Sequence, residues 1–380
     1  MARFKYPTIV LILISLIYSC KKEDELSPVE NYVSYSDILL TSYTTFNSTS
    51  GRLWVLDHLG NVRQQIPTTD QPLNFRRWNV NGKIRYTYHL HDKTAYHIPG
   101  VGYIPGKGMV LDENYHVIDE VKLIPFGSRT PSDPAELDGH DFIYLADGHY
   151  VTMAYFEKTV SNIPASLNPV AGCKVVAPII QEVQNGQVVW EWDGTNYPEF
   201  YETSATGNKF SDAAQTDDYM HINSMIIDPR DNNLICSFRN MDQILKIERN
   251  TGNILWRLGG TNSDFQLSNY EKPLRQHDAK LVDNNGTLIM LDNGDASLRP
   301  YSRIMEYSLD ESSMTVKAIK VTNLPGNLFA QYMGSVQKLP STYFVGGGST
   351  PRIMEFKQSD SSIIFEKQLS STTYRAYKYF

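Results

Sequence analysis

Between residues 218 and 260, apolar and polar positions run in short stretches cut by turn residues. Met225 to Asp228 alternates into the turn Asp228-Pro229-Arg230-Asp231-Asn232-Asn233, Leu234 to Phe238 is apolar and β-rich, and Gln243 to Ile247 alternates again. Thr251-Gly252-Asn253 then turns the chain into Ile254-Leu255-Trp256. Four short strands with Gly/Asn/Asp turns between them predict an antiparallel meander. One such sheet cannot bury both of its faces, so it implies neighbours of the same kind. The same grammar marks a hairpin from Tyr43 to Ile66, a unit from Phe75 to Leu123 and a third from Asp138 to Trp192. Two more run from Gln276 to about Asn323 and from Met333 to about Leu369. Repeats of about 40 to 60 residues with four strands each predict an all-β, six-bladed β-propeller. Its outermost strand would be completed from the opposite terminus, by Tyr35 to Leu40 or Tyr374 to Tyr379. Inserts at Asn162–Cys173, Thr195–Thr216 and Asn262–Leu274 would decorate one face of the ring.

Composition agrees with that reading: 41% hydrophobic residues can build a core, and 24 Tyr with 24 Gly and 19 Pro favour strands and turns. The N-terminus reads differently. Arg3 and Lys5 precede the apolar run Thr8 to Ile17, which is too short to span a bilayer and has the form of a signal h-region. Ile17-Tyr18-Ser19-Cys20 resembles a bacterial lipobox, so Cys20 is expected to carry the lipid. The domains are then a signal peptide at 1–19, a lipidated tether at 20–31 and the propeller at 32–380. The expected location is the cell envelope, on the outer membrane, with the membrane as partner through the anchor. The formal charge of −7 and the lack of a Lys/Arg cluster argue against nucleic acid. Cys173 and Cys236 remain; Cys236, in an apolar strand, reads as a small buried hydrophobe, although an oxidising envelope permits a bridge.

The chemistry is carried by three histidines. His140, His221 and His277 stand where a loop meets the first strand of three successive units, and Ser335 holds that place in a fourth. First strands of a propeller converge on its axis, so these imidazoles should meet. They could bind a metal, act as acid and base, hold an anion, or tie one blade to the next. Asn223, Arg239, Asn293, Arg299 and Arg303 are the candidate substrate-binding residues beside them, since a guanidinium fork suits sulfate or phosphate. No HExxH, Cys/His finger, EF-hand, P-loop, Rossmann fingerprint or nucleophile elbow occurs, so neither a metal nor a cofactor is expected.

The segments HINS (His221 to Ser224), SFRNMDQILKIERNTGNILWRLGG (Ser237 to Gly260), QHDAKLVDNNGTLIMLDNGD (Gln276 to Asp295), YSRIMEYSLDE (Tyr301 to Glu311) and YRA (Tyr374 to Ala376) resemble the bacterial aryl-sulfate sulfotransferases. The resemblance is densest from about residue 138 to 376. It implies transfer of a sulfuryl group from a phenolic sulfate ester to a phenolic acceptor, without a nucleotide donor, through a sulfated histidine. It matches His221 and His277 to family active-site histidines, and Arg299 or Arg303 to a family arginine. The family pattern also has a late histidine near a Gly-Gly-Ser turn; this chain has Gly346-Gly347-Gly348-Ser349 and no histidine after His277. The nucleophile would then be His140, His221 or His277, or the propeller is a non-catalytic lipoprotein that binds a sulfated or aromatic ligand.

Overall fold

The computed structural model describes residues 36–42, 51–127, 129 and 137–380. The leader, Cys20 and the whole tether at 20–31 fall outside those residues. Strands dominate the described residues, and their helical content is five short 3-10 turns. Each hairpin is set by local chemistry. Asn81-Gly82 joins the strands Pro72–Val80 and Lys83–His91, and Asn185-Gly186 joins Lys174–Gln184 and Gln187–Asp193. All four of these turn residues have positive φ, between 50° and 78°. Two-residue turns of this kind match the right-handed strand twist, and Asn-Gly is the pair that enters them at least cost.

The result is a β-propeller built from four-stranded antiparallel units. Four sheets stand as separate four-stranded units. The first orders Ala376–Tyr379, Asp37–Ser42, Gly51–Leu56 and Val62–Thr68; the third spans Ile222–Gly259, the fourth His277–Asn323 and the fifth Ser335–Gln368. The second sheet departs from the expected pattern. The units from Pro72 to Val121 and from Leu137 to Asp193 run together, joined where Pro105 pairs with Asp138, and with the short strand Thr216–Asp217 beside Lys174–Gln184 they form one nine-stranded sheet. The junction depends on close backbone approach. A Cβ on Gly106 would fall 2.1 Å from the Leu90 carbonyl oxygen, and one on Gly139 would fall 2.8 Å from the His89 ring. His89 itself is buried, and burial pushes its pKa down to about 4.

The chain's end also behaves differently from expectation. Ala376–Tyr379 completes the first sheet from its inner edge, pairing with Asp37–Ser42, and not from the outer edge. Burial explains the choice: Ala376, Tyr377 and Lys378 are all buried, whereas Val62–Thr68 at the other edge is mostly exposed. Apolar side chains fill the spaces between adjacent sheets all the way round. Leu53, Phe75 and Met109 pack first against second, Phe238, Met225 and Val175 second against third, Trp256 and Met290 third against fourth. Leu291 and Val345 join fourth to fifth, and Ile353 with Ile38 closes fifth onto first. Cys173 and Cys236 are separate buried thiols in this packing.

Asp141 ties the centre together. Its carboxylate accepts from Asn74 Nδ2 (2.9 Å), Arg76 Nη1 (2.8 Å) and the Met225 backbone N–H (3.1 Å), and lies 3.4 Å from Arg375. Burial opposes its ionisation, but Arg76 and Arg375 outweigh burial and hold its pKa below the usual carboxylate value. Removing one partner of a buried ion pair leaves charge uncompensated, at a cost of about 3–5 kcal/mol. Asp141→Ala is therefore expected to lose that much stability in urea unfolding; a loss below about 1 kcal/mol would contradict this role.

Candidate active site

The three histidines meet. His140 lies within the strand Leu137–Ala146, His221 directly precedes Ile222–Ile227, and His277 opens His277–Leu281. The ring of His140 is 4.9 Å from that of His221 and 6.3 Å from that of His277, centroid to centroid. All three line a single cavity of about 730 Å³. Its walls also include Arg239, Asn240, Asp217, Asp218, Lys209, Tyr103, Met333 and Tyr374. Two loop segments contribute to it: His97 with residues 100–104, and residues 206–209.

Each imidazole is fixed by a different partner. His140 Nδ1 lies 2.6 Å from Asp138 Oδ1, which also accepts the backbone N–H of His140 at 2.9 Å. Burial opposes ionisation of Asp138, yet His140 outweighs burial and keeps that pKa below its ordinary value. His221 Nδ1 lies 2.6 Å from Asp218 Oδ2. His221 has φ of +54°, an uncommon left-handed conformation for a residue with a side chain. A carboxylate only accepts, so both rings carry their proton on Nδ1 when neutral. His277 Nδ1 lies 2.7 Å from the Gly334 carbonyl oxygen and must donate to it, which leaves the Nε2 lone pair free of a proton. Burial, then Arg375 and His140, push the pKa of His277 well down. The Tyr374 hydroxyl stands between two of the rings, 3.3 Å from His277 Nε2 and 3.0 Å from the His140 carbonyl oxygen.

Arg239 is placed by its own turn. The backbone N–H groups of Arg239 and Asn240 donate to the carbonyl oxygens of His221 and Met220 at 2.8 and 2.9 Å. The turn Arg239–Met241 is thereby docked beside His221. Arg239 donates to Asn240 Oδ1 (3.1 Å) and makes no carboxylate ion pair among the described residues. A guanidinium on a cavity wall without a carboxylate of its own is suited to an anion. Burial pushes Asp217, on the cavity wall, up to about 6.

The other expected substrate-binding residues do not line the cavity, and here the structure corrects the placement. Arg303 and Arg299 both turn to the buried Asp292, at 2.7 and 2.5 Å. Arg303 also donates to the carbonyl oxygens of Tyr270 and Lys272. Asp292 has no exposed side chain, so its charge needs both guanidinium groups. Asn293 donates to the carbonyl oxygens of Ala330 and Met333, and Asn223 to that of Gln276 (2.8 Å). Asp138, Asp218 and Tyr374 were missed as site residues. The signal was an acid two or three positions ahead of two of the histidines, together with the Tyr-Arg-Ala segment. His97 also lines the cavity, and its ring stacks on that of Tyr103 with centroids 4.8 Å apart.

No grouping of ligand atoms tight enough for one ion includes the three histidines among the described residues. The grouping that occurs, Asp228, Asp231 and Glu311, already surrounds Lys246 Nζ at 2.8, 2.6 and 2.7 Å. The side chains that line the cavity offer imidazole, carboxylate, phenol and guanidinium groups.

Among solved structures the chain is similar to a protein of unknown function from Bacteroides caccae (11% identity, TM-score 0.48, covering 90% of this chain and 99% of that one). It is also similar to a putative 6-phosphogluconolactonase from Bacteroides fragilis (10%, 0.43, 91% and 98%) and to a chain of a nidogen/laminin complex (10%, 0.46, 91% and 99%). At these scores the likeness carries no weight beside the sheets themselves. No curated protein matches the sequence. The model of the family described as Arylsulfotransferase (ASST) matches residues 21–379, nearly the whole chain. The chain belongs to the arylsulfotransferase (ASST) family.

Proposed function

We propose that this protein is an aryl-sulfate sulfotransferase that moves a sulfuryl group from a phenolic sulfate ester to a phenol, with His277 as the nucleophile. The observation that carries the reading is the tautomer of His277: its Nδ1 is committed to the Gly334 carbonyl, so Nε2 offers its lone pair. In the first half-reaction Nε2 attacks sulfur, an N–S bond forms, and the S–O bond breaks with its electron pair leaving on the phenolate. His140 or His221, protonated on Nε2, gives that proton to the departing oxygen; Asp138 and Asp218 stabilise the imidazolium form and orient the ring. The same ring then takes the proton of the incoming phenol, whose oxygen attacks the sulfuryl group and restores His277. Charge gathers on the sulfuryl oxygens and the leaving oxygen, as in phosphoryl transfer, and Arg239 is the fixed cation that meets it.

The ring itself we read as six-bladed, with the nine-stranded sheet counting as two blades fused at one strand pair. The leader supports a lipoprotein held by Cys20 on the outer membrane, with the cavity free to take small aromatic sulfates. The test of the reaction is release of 4-nitrophenolate from 4-nitrophenyl sulfate in the presence of phenol, with phenyl sulfate as the second product. Folded protein that releases no more than a buffer blank sinks the reading. Ligand binding without turnover would leave the propeller as a receptor for sulfated aromatics.

A further inference from the structure

We infer that Asn293 is a positioning residue for His277: it holds a left-handed Met333 in place, and through it the Gly334 carbonyl that commits the His277 ring to one tautomer. Its consequence for catalysis rests on the reading of His277 as nucleophile. Two consecutive residues beside that ring are left-handed, Met333 with φ of +61° and Gly334 with φ of +90°. Glycine enters this region freely. Methionine enters it at a cost, and such a conformation persists only where the surroundings fix it.

The Met333 carbonyl and the Gly334 N–H belong to one peptide plane, and both ends of that plane are gripped. Asn293 Nδ2 donates to the Met333 carbonyl oxygen (2.9 Å), and the Gly334 N–H donates to the Tyr374 carbonyl oxygen (2.9 Å). With the plane set, the next carbonyl, that of Gly334, stands 2.7 Å from His277 Nδ1. Asn293 is itself wholly buried and anchored. Its amide also donates to the Ala330 carbonyl oxygen (2.5 Å). Its own carbonyl accepts from Ser302 Oγ (2.7 Å), which in turn accepts the Ala330 N–H (2.8 Å). The turn Gly346–Ser349 closes the other side. The Ser349 N–H donates to the Tyr332 carbonyl oxygen (3.0 Å), and a Cβ on Gly348 would fall 2.6 Å from the Gly334 nitrogen. The Gly-Gly-Gly-Ser turn therefore serves close packing against residues 332–334, and Asn293 supplies the side-chain hydrogen bond that keeps Met333 left-handed. Without that amide Met333 returns to negative φ, the peptide plane turns and the Gly334 carbonyl leaves His277 Nδ1. A proton then settles on Nε2 and removes the lone pair that attacks sulfur. Asn293 acts through backbone, and it does not line the cavity itself.

The test is two-bond proton–nitrogen NMR of the histidine rings in the purified protein, under mildly alkaline conditions where a free imidazole is neutral. The nitrogen shifts separate a protonated ring nitrogen from a bare one, and loss of signals in His277→Ala assigns them. In wild type the proton resides on Nδ1. In Asn293→Ala the ratio of the Nδ1–H to the Nε2–H form falls about fivefold or more, the scale of one net hydrogen bond. Met333→Gly/Asn293→Ala, in which the left-handed position carries no side chain, restores the wild-type signals. A merely structural Asn293 would lower stability in both variants without moving the proton. A ring that keeps its Nδ1–H form in folded Asn293→Ala overturns the inference, and so does a double variant that fails to restore it. If Asn293→Ala does not fold, Met333→Gly is compared with the double variant. Retention of the Nδ1–H form in both then supports the inference, and its loss in the double variant overturns it. The spectra need no turnover. Signals that move as expected in a protein without sulfotransfer activity would sink the reaction and leave the positioning intact.

Discussion

Replacing His277 by alanine is expected to lower turnover of 4-nitrophenyl sulfate with phenol by about 10⁴-fold or more, as loss of a covalent nucleophile does in other catalytic units. The structure gives a reason to single out this ring. His140 and His221 have their Nδ1 atoms on carboxylates, an arrangement suited to accepting and returning a proton. His277 is bound to a carbonyl, and burial with the neighbouring Arg375 disfavours its charged form. The three rings therefore divide the work: one offers a lone pair and two handle protons. His140→Ala and His221→Ala should each cost less than His277→Ala, because either remaining dyad can still serve the leaving oxygen. Steady-state kinetics across the three variants checks this order. Equal retention of activity in His277→Ala would move the nucleophile to another ring.

The second large effect belongs to Arg239. Deleting one charged donor at a site of developing negative charge typically costs about 10²–10³ in kcat. Arg239→Ala is expected to fall in that range, and Arg239→Lys to recover part of it, since a lysine supplies charge without the planar fork. The docking of residues 239–241 on the carbonyl oxygens of Met220 and His221 uses backbone atoms only, so the turn should survive the substitution. By contrast, Arg303→Ala should act on stability, because it strips a partner from the buried Asp292. Kinetics and urea unfolding on both variants separate the two roles. A folded Arg239→Ala with wild-type kcat would remove this residue from the chemistry.

Much of this was legible in the sequence, for identifiable reasons. The strands Leu234–Phe238 and Gln243–Ile247 fall where the pattern predicted them, because turns such as Thr251-Gly252 leave little freedom of boundary. The convergence of His140, His221 and His277 followed from their equivalent places in successive units. What failed was long-range. The fusion at Pro105 and Asp138 depends on how closely two glycines let the backbone approach His89 and Leu90, which no local pattern records. The inner-edge position of Ala376–Tyr379 is a topological fact, set by burial of residues far apart in sequence. Arg299 and Arg303 were assigned by their match to a family arginine, but both side chains are committed to the buried Asp292, which no local pattern records. Tyr374 and Arg375 stood in a noted segment, yet their role appears only once the last strand lies at the axis.

The central claim is that a sulfuryl group passes through His277. The most direct measurement is mass spectrometry of the protein quenched during turnover of 4-nitrophenyl sulfate without acceptor, with the adduct mapped by proteolysis. The account predicts one sulfuryl group on the peptide that contains His277, discharged when phenol is added. An adduct on a different residue, or turnover to phenyl sulfate with no adduct at any quench time, would contradict it.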